Sequence, residues 1–275
     1  MIEIPEAIEL SKQICENISG KEIINVTAAT SPHKFAWYHG EPAGYHDLLS
    51  GKLLGAAKGV GSMVEVTAGD TVLLFSEGVS LRFHGTGEKR PEKHQLLVEF
   101  EDLSALSASV QMYGGLFCFK AGDFVNKYYN IAKEKPSPIS EQFNEAYFDS
   151  IISAPENAGL SAKALLATEQ RIPGLGNGVL QDVLFNGTIH PKRKVRSLSD
   201  SDREKLYKSL KNTLAHMTFK GGRDTERDLF GCCGGYKSVL SKNTVGKPCP
   251  VCGELVKKEA YLGGSIYFCP GCQKV

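Results

Sequence analysis

The chain has 275 residues, of which 41% are hydrophobic and 23% charged, a balance typical of a folded globular protein. No apolar run approaches the roughly 18 residues needed to span a membrane, and the acidic N-terminus lacks the basic start of a secretion signal. We therefore expect a cytoplasmic protein with reduced thiols and no membrane association.

Charge is distributed unevenly along the chain, although the net charge is only +1. Residues 192–275 carry 17 Lys or Arg against 8 Asp or Glu, so residues 1–191 are acidic overall. A basic C-terminal part is typical of a module that binds a polyanion such as nucleic acid. A solvated basic surface without a partner is the alternative.

The first part of the chain is predicted to be one helix followed by a β-rich domain. Residues 5–18 have apolar side chains at helical spacing, and Gly20 is suited to end that helix. From residue 21 to about 119, short runs alternate between apolar and polar side chains, with turn residues between them. We predict an α+β protein whose N-terminal domain is a β-sandwich.

The second part of the chain has helical periodicity and follows a polar, proline-containing connector, KEKPSPIS. The predicted organisation is a β-rich domain at 1–125, a linker at 126–140, a helical domain at 141–230, and a loop with a cysteine finger at 231–275.

The segment Leu160–Pro191 reads as two helices joined by a tight turn. Ser161 is suited to cap the first helix, and Pro173 prevents that helix from continuing. Gly176 allows a sharp turn, and Asn177 stands where the second helix begins. A helix N-terminus presents unpaired N–H groups, so this turn is suited to bind a phosphate. An ordinary helical hairpin is the alternative.

Four cysteines near the C-terminus have the spacing of a metal site. Cys249 and Cys252 form one C-x-x-C pair, and Cys269 and Cys272 form the other. Two such pairs supply four thiolates to a tetrahedral zinc ion with no open position, so we predict a structural Zn²⁺. Iron is the alternative metal, and disulfides are disfavoured by the expected compartment.

The other four cysteines are predicted to have no metal role. Cys15 fits the core face of the first helix, and Cys118 fits a buried strand. Cys232 and Cys233 lie in the glycine-rich, charged segment 221–240, which we expect to be a flexible loop.

Two motifs together resemble one family. PGLGNGVLQDVLFNGTIHP is similar to the helix–two-turn–helix of the formamidopyrimidine-DNA glycosylase and endonuclease VIII family, and KPCPVCG…YLGGSIYFCPGCQ resembles the zinc finger of that family. The resemblance implies that Asn177 and the backbone at Gly176 hold DNA phosphates. The implied partner is double-stranded DNA with a damaged base or an abasic site, bound by a monomer that everts the nucleotide. The arginine position of the finger is occupied by Gly264, and Lys257 and Lys258 either compensate or are solvated.

The N-terminus, MIEIPE, resembles the Pro-Glu-Leu-Pro-Glu start of that family, in which the terminal proline amine attacks the damaged nucleoside. Here Ile2 replaces the proline, which makes removal of Met1 unfavourable. The resemblance then implies that the Met1 amine is the nucleophile and that Glu3 and Glu6 transfer protons. A terminal amine suits this role because its ordinary pKa is about 8.

The remaining family positions are also substituted. The hairpin lysine of the family maps to Val60, and Lys58 lies two residues earlier on the same face of a regular strand. We predict that Lys58 contacts DNA, or acts as a nucleophile in place of Met1. The residues that fill the space of an everted base map to Glu77 and to Met112 or Tyr113, each of which also fits ordinary packing.

Three functions remain open from the sequence. The first is a base-excision repair glycosylase with abasic-site lyase activity, which binds DNA in the nucleoid. The second is a non-catalytic relative that binds DNA lesions or unusual DNA structures. The third is a zinc-containing interaction protein with no nucleic-acid role, which the basic C-terminal part disfavours.

Overall fold

The structure is a computed structural model that describes residues 1–274, and the chain divides into two compact units. The first unit contains Met1–Tyr129 and a later segment, Gly221–Gly235. The second unit contains Asn130–Lys220 and the chain from Tyr236 onward. Within the described residues, no helix is both long enough and apolar enough to cross a membrane.

Seven α-helices and eleven strands are found within residues 1–274. The helices are α1 (Ile4–Asn17), α2 (Tyr45–Leu49), α3 (Lys127–Glu134), α4 (Glu145–Ile152), α5 (Ala162–Ala167), α6 (Asn177–Asn186) and α7 (Asp200–Phe219). The strands are β1 (Ile23–Ala28), β2 (Ala36–Trp37), β3 (Leu54–Val60), β4 (Met63–Ala68), β5 (Thr71–Phe75), β6 (Val79–His84), β7 (Leu96–Phe100), β8 (Ala105–Val110), β9 (Gly114–Lys120), β10 (Lys257–Tyr261) and β11 (Gly264–Phe268).

The first unit is a two-sheet sandwich with a helix packed against it, as the sequence predicts. One sheet has the order β1-β7-β8-β6, and the other has the order β2-β9-β5-β4-β3. Neighbouring strands are antiparallel except β2 and β9, which are parallel. Apolar side chains of both sheets and of α1 form one continuous buried cluster, and each fully buried aliphatic or aromatic side chain contributes about 1.5–3 kcal/mol.

Helix α1 begins with a capping box, in which the Glu3 side chain accepts from the Glu6 N–H and the Glu6 side chain accepts from the Glu3 N–H. Its buried apolar face includes Leu10 and Ile14, and the chain turns away at Gly20, whose φ is +88°. Cys15 is exposed, so its predicted core position is wrong. The reason is helical geometry, because Cys15 lies about 100° around the helix from Ile14.

The second unit combines helices with a small β-hairpin. Ser161 accepts a hydrogen bond from the Ala164 N–H, which confirms the predicted N-cap of α5. Helix α7 begins with a capping box at Ser199. Strands β10 and β11 pair antiparallel, and the cysteine-rich end of the chain shares a small buried cluster with Phe185 of α6.

Three boundaries differ from the predicted organisation. Residues 126–140 contain helix α3 where a linker is predicted. Helix α5 ends at Ala167, well before Pro173, because the chain becomes extended at Thr168 and then takes two left-handed residues. Residues 221–235 belong to the first unit, whereas the predicted domains put them with the helices and the finger.

Candidate functional sites

The first candidate site is a buried charge cluster at the N-terminus. Glu3 is 4% exposed and Glu6 is 5% exposed, although carboxylates are rarely buried without a partner. The Glu6 carboxylate accepts a hydrogen bond from the Glu3 N–H at 3.1 Å, which is half of the capping box of α1. The sequence Glu-x-Pro-Glu thus places two acidic side chains on the first turn of one helix.

Arg223 neutralises both carboxylates. Its Nε lies 2.9 Å from Glu6 Oε1 and its Nη2 lies 2.7 Å from Glu6 Oε2, which is the bidentate geometry of strong arginine–carboxylate pairs. Its Nη1 donates to Glu3 Oε1 at 3.2 Å. The Arg223 backbone N–H also donates to Glu6, at 3.1 Å. The segment that was expected to be a flexible loop is therefore anchored in the first unit by a buried side chain.

The cluster fixes the protonation state of Glu6. Burial alone raises the pKa of Glu6, but the charge and hydrogen bonds of Arg223 outweigh burial and hold that pKa below its usual value. Burial acts in the opposite sense on Arg223, and the two carboxylates raise the pKa of its guanidinium. Glu6 is therefore ionised at neutral pH and has no proton to donate.

The terminal amine lies beside the same cluster. The Met1 ammonium forms an ion pair with Glu226, and both groups are partly exposed. Arg223 Nη2 donates to the Met1 carbonyl at 3.2 Å, which holds the first residue in place. The Ile2 side chain is buried, and its N–H donates to the Glu77 carbonyl at 2.7 Å. The amine that reaches the surface is therefore that of Met1.

Lys58 is placed by its strand pairing. It lies directly opposite Glu65 in the β3–β4 pair, and its ammonium is 3.0 Å from Glu65 Oε1. Glu65 is buried and also accepts a hydrogen bond from the Tyr129 hydroxyl at 2.5 Å. Val60 is buried on the same strand, two residues further on. The Lys58 side chain is 61% exposed, so its charge remains accessible from solvent.

The second candidate site is the start of α6 in the second unit. Asn177 is the first residue of a ten-residue helix whose N-cap is Gly176, as the sequence predicts. The Asn177 Oδ1 is buried and has no hydrogen-bond partner among residues 1–274. This oxygen is an acceptor, so the Nδ2 amide is the part of the Asn177 side chain that donates hydrogen bonds at this helix end.

Gly264, at the first position of β11, lies against this helix start. A Cβ atom at Gly264 would be 2.9 Å from Asn177 Nδ2 and 3.5 Å from the Lys163 ammonium. The hairpin is further fixed by Gln181, which donates to the Ser265 carbonyl at 3.2 Å and accepts from the Tyr267 N–H at 3.0 Å. The absence of a side chain at Gly264 thus permits close packing between the hairpin and α6.

The third candidate site is the cysteine tetrad. The Sγ atoms of Cys249, Cys252, Cys269 and Cys272 all lie within 4.8 Å of one another. Two of the separations are 3.8 Å and 3.3 Å, near the roughly 3.8 Å expected for sulfurs on a tetrahedral zinc ion with 2.3 Å bonds. The donor set and its dimensions fit a metal ion bound by four thiolates.

Backbone groups favour thiolates in this tetrad. Burial alone raises the pKa of Cys249, but hydrogen bonds from the backbone N–H groups of Cys252 and Val251 lower that pKa to about 7. The Cys272 N–H donates to Cys269 Sγ at 3.4 Å, which is the equivalent contact in the second pair. Each C-x-x-C turn therefore directs N–H groups at its own sulfur atoms.

Sequence reasoning missed two residues of the N-terminal cluster, Arg223 and Glu226. Both come from GGRDTERDLFGCCGG, which was singled out only as glycine-rich and charged. The available signal was a local excess of charge beside Leu229, an apolar side chain that is fully buried. The predicted site residues Met1, Glu3 and Glu6 do come together.

Comparison with known proteins supports this architecture. No family model matches the chain. A formamidopyrimidine-DNA glycosylase of Symbiobacterium thermophilum is 27% identical, over all of this chain and 90% of the relative. One of Bacillus cereus is 25% identical over 99% of both chains. One of Thermus thermophilus is 30% identical, over 58% of this chain and 61% of the relative.

Solved structures give the same result for the fold. The Thermus thermophilus MutM (Fpg) protein superposes with a TM-score of 0.80 at 23% identity, covering 98% of both chains. The Lactococcus lactis Fpg in complex with abasic-site DNA superposes with a TM-score of 0.84 at 22% identity, covering 99% of this chain and 100% of the neighbour. The chain therefore has the fold of the Fpg-type DNA glycosylases.

The motifs, the fold and the full-length relatives agree on one assignment. Over its full length this chain is similar to members of the formamidopyrimidine-DNA glycosylase and endonuclease VIII family. Relative to the motifs of that family, Ile2 stands where the N-terminal motif has proline.

Proposed function

We propose that this protein is a DNA glycosylase of base-excision repair that acts on double-stranded DNA containing a damaged base. Full-length relatives carry the name formamidopyrimidine-DNA glycosylase, and solved neighbours are complexes with abasic-site DNA or with DNA containing Fapy-dG. The observation that carries the proposal is the N-terminal charge cluster, in which a partly exposed amine lies beside three carboxylates and one arginine. We propose that the protein acts on DNA in the cytoplasm and that it does so as a monomer.

In the proposed mechanism the Met1 amine is the nucleophile. The Met1 ammonium transfers a proton to the Glu226 carboxylate, and the nitrogen lone pair then attacks C1′ of the damaged nucleoside. The C1′–base bond breaks and the base leaves with the bonding electrons. The nitrogen then loses a proton, the C1′–O4′ bond breaks with its electrons going to O4′, and O4′ takes up a proton at the position where we assign Glu3. The product is an imine between the amine and C1′ of the opened sugar, and this imine permits strand cleavage as an abasic-site lyase step.

The two glutamates have different proposed roles. Glu6 is held bidentately by Arg223 and is ionised, so it positions the N-terminal turn instead of donating a proton. Glu3 has one longer contact with Arg223, at 3.2 Å, and is the group we assign to proton transfer at the sugar. Arg223 also holds the Met1 carbonyl and thereby limits the positions open to the amine.

We propose that the start of α6 holds the DNA backbone. The Asn177 Nδ2 amide, at the start of a ten-residue helix, is a donor that suits a phosphate, and Gly176 permits close approach. Lys58 supplies an exposed positive charge as a further phosphate contact. We also assign Zn²⁺ to the four-cysteine tetrad, where it has a structural role and stabilises the hairpin.

Borohydride trapping tests the catalytic proposal. An imine between the protein and an abasic-site duplex is reduced to a stable covalent adduct, which mass spectrometry then locates at Met1 or at Lys58. We expect the adduct at Met1, and we expect reductive methylation of the N-terminus to abolish it. Absence of an adduct and of base release across a panel of oxidised bases would refute the glycosylase assignment.

A non-catalytic lesion-binding function is the second candidate. Ile2 replaces the expected proline, and the Met1 ammonium is already paired with Glu226. A protein of this kind binds abasic or distorted DNA in a salt-sensitive manner without forming an adduct. The trapping assay, combined with a binding titration on the same duplex, distinguishes the two functions.

A further inference from the structure

An exposed group of large apolar side chains lies on the first unit. Trp37 is 49% exposed, Phe35 is 48% exposed and Met112 is 65% exposed, and the Tyr113 ring centroid is 6.0 Å from that of Trp37. Trp37, Phe35 and Tyr113 are called the aromatic patch below. Large apolar side chains clustered at a surface are more typical of a contact site than single exposed apolar residues are.

The backbone beneath the patch is fixed. Strand β2, which carries Trp37, pairs parallel with the start of β9, and the Gly114 N–H donates to the Phe35 carbonyl at 2.9 Å. The Gly78 backbone lies against the Tyr113 carbonyl so closely that any side chain at Gly78 would clash. The aromatic rings are therefore displayed on paired strands, so little further ordering is needed on binding.

Short contacts connect the patch to the N-terminal site. The Ile2 N–H donates to the Glu77 carbonyl at 2.7 Å, and Gly78, the next residue, packs against Tyr113. Burial, followed by the Glu77 carboxylate, raises the pKa of Tyr113 to about 12, so the ring remains neutral. Tyr113 in turn contacts Trp37. The patch is thus continuous with the segment that carries the Met1 amine.

The chemistry of the patch fits a nucleobase. Flat aromatic rings stack on bases of any sequence, and the Lys34 ammonium, 5.4 Å from the Phe35 ring centroid, adds a positive charge that suits a nearby phosphate. We propose that Trp37, backed by Tyr113, stacks against an unstacked nucleobase of the bound DNA beside the nucleotide that reacts with Met1. This inference rests on the proposed function and extends it to Trp37, which lies outside the motifs and positions that the family resemblance covers.

Trp37 is the only tryptophan in the chain, so its fluorescence reports on the patch directly. Titration with a duplex containing a tetrahydrofuran abasic analogue is expected to quench the Trp37 emission and to protect it from iodide. In parallel, fluorescence anisotropy of labelled DNA measures the affinity. Trp37→Ala is expected to weaken binding by roughly 5- to 100-fold, whereas Trp37→Phe retains most of the affinity.

Tyr128→Ala is the matched control, because Tyr128 is an exposed aromatic of the same unit outside the patch. DNA binding without quenching, together with an unchanged affinity of Trp37→Ala, would overturn the stacking role and leave the proposed function intact. No DNA binding at low salt would overturn both. A change in sedimentation of Trp37→Ala without DNA would assign the patch to self-association and would also overturn the inference.

Discussion

The N-terminal cluster and the cysteine tetrad are both built from ionisable side chains, but their residues are gathered over very different lengths of chain. The tetrad uses two turns within a single stretch, from Cys249 to Cys272. In the cluster, Arg223 contacts Glu6 across 217 positions of sequence. A local site depends on its ligand and its turns, whereas a long-range site depends on the folding of the whole unit that carries it.

This difference separates the energetic roles of the two sites. Four thiolates repel one another when no cation lies between them. A bound metal therefore contributes directly to the folding of the finger. The cluster carries its own counter-charge in Arg223, which is 2% exposed. Perturbing each site in turn therefore tests whether the two units respond independently.

Metal removal is expected to have the largest effect. Chelation, or Cys269→Ser, removes a binding free energy of about 10–16 kcal/mol for a structural zinc site, so the hairpin should lose its fold. Hydrogen exchange of the β10–β11 amides and metal content by mass spectrometry measure this. Cys232→Ser, at an exposed free cysteine, is the control and should change neither quantity. Full protection of the hairpin without metal would contradict the assignment.

Arg223→Ala is expected to destabilise the first unit by about 3–5 kcal/mol, because two buried carboxylates would lose their shared partner. Urea denaturation of the purified protein measures the change. Arg227→Ala is the matched control from the same segment, because Arg227 is exposed and donates only to the Gly231 carbonyl among the described contacts of residues 1–274. Equal effects of the two substitutions would refute the special role of Arg223.

The pH dependence of the stability change caused by Glu6→Gln tests the same ion pair more closely. The folded-state pKa of Glu6 is lower than its unfolded-state pKa, which is about 4.3. Ionised Glu6 therefore stabilises the fold at pH values above about 4.3, and this stabilisation is lost as the pH falls through the folded-state pKa. We expect Glu6→Gln to lower the free energy of unfolding by about 3 kcal/mol at pH 7 and by progressively less below pH 4. Thermal melts of both proteins between pH 3 and pH 7 measure the difference, and a pH-independent gap would contradict the assigned cause.

Asn177→Ala tests the second unit without touching the metal. Loss of a hydrogen bond to a charged phosphate should weaken DNA binding by about 1.5–3 kcal/mol, roughly 10- to 100-fold. Asn212→Ala, at an exposed position of α7, is the matched control and should bind DNA normally. Anisotropy titrations with one duplex compare the three proteins. Unchanged affinity of Asn177→Ala would favour the zinc-containing interaction protein without a nucleic-acid role.

Lys58→Ala is expected to have the smallest effect. Its ion pair with Glu65 is largely exposed on the lysine side, so stability should change by no more than about 1 kcal/mol. If Lys58 contacts a phosphate, the slope of log affinity against log salt should decrease by about one. Lys12→Ala, at another exposed ion pair of the first unit, is the control for nonspecific charge loss. Identical slopes for the two variants would remove Lys58 from the DNA-contact set.

The elements that sequence predicted well are those decided by local chemistry. Helix α6 begins at Asn177, directly after its N-cap Gly176, and the cysteine pairs converge because each pair forms its own turn. The serine cap of α5 is also local and was predicted correctly. In each case the interacting groups lie within a few residues of one another.

Elements that depend on distant partners could not be predicted in the same way. The pairing of Arg223 with Glu3 and Glu6 requires the complete first unit, and a charged, glycine-rich segment is equally typical of a solvated loop. The early end of α5 depends on left-handed residues at Glu169 and Gln170, which are not residue types that usually take that conformation. The exposure of Cys15 depends on which side of α1 packs on the sheets.

The return of Gly221–Gly235 to the first unit has a consequence for biosynthesis. Arg223 follows Glu6 by 217 residues, so the ribosome must synthesise all of the intervening chain before the partner of Glu3 and Glu6 exists. The charge cluster of Glu3, Glu6 and Arg223 is therefore completed late in translation, and a product truncated before residue 221 lacks it.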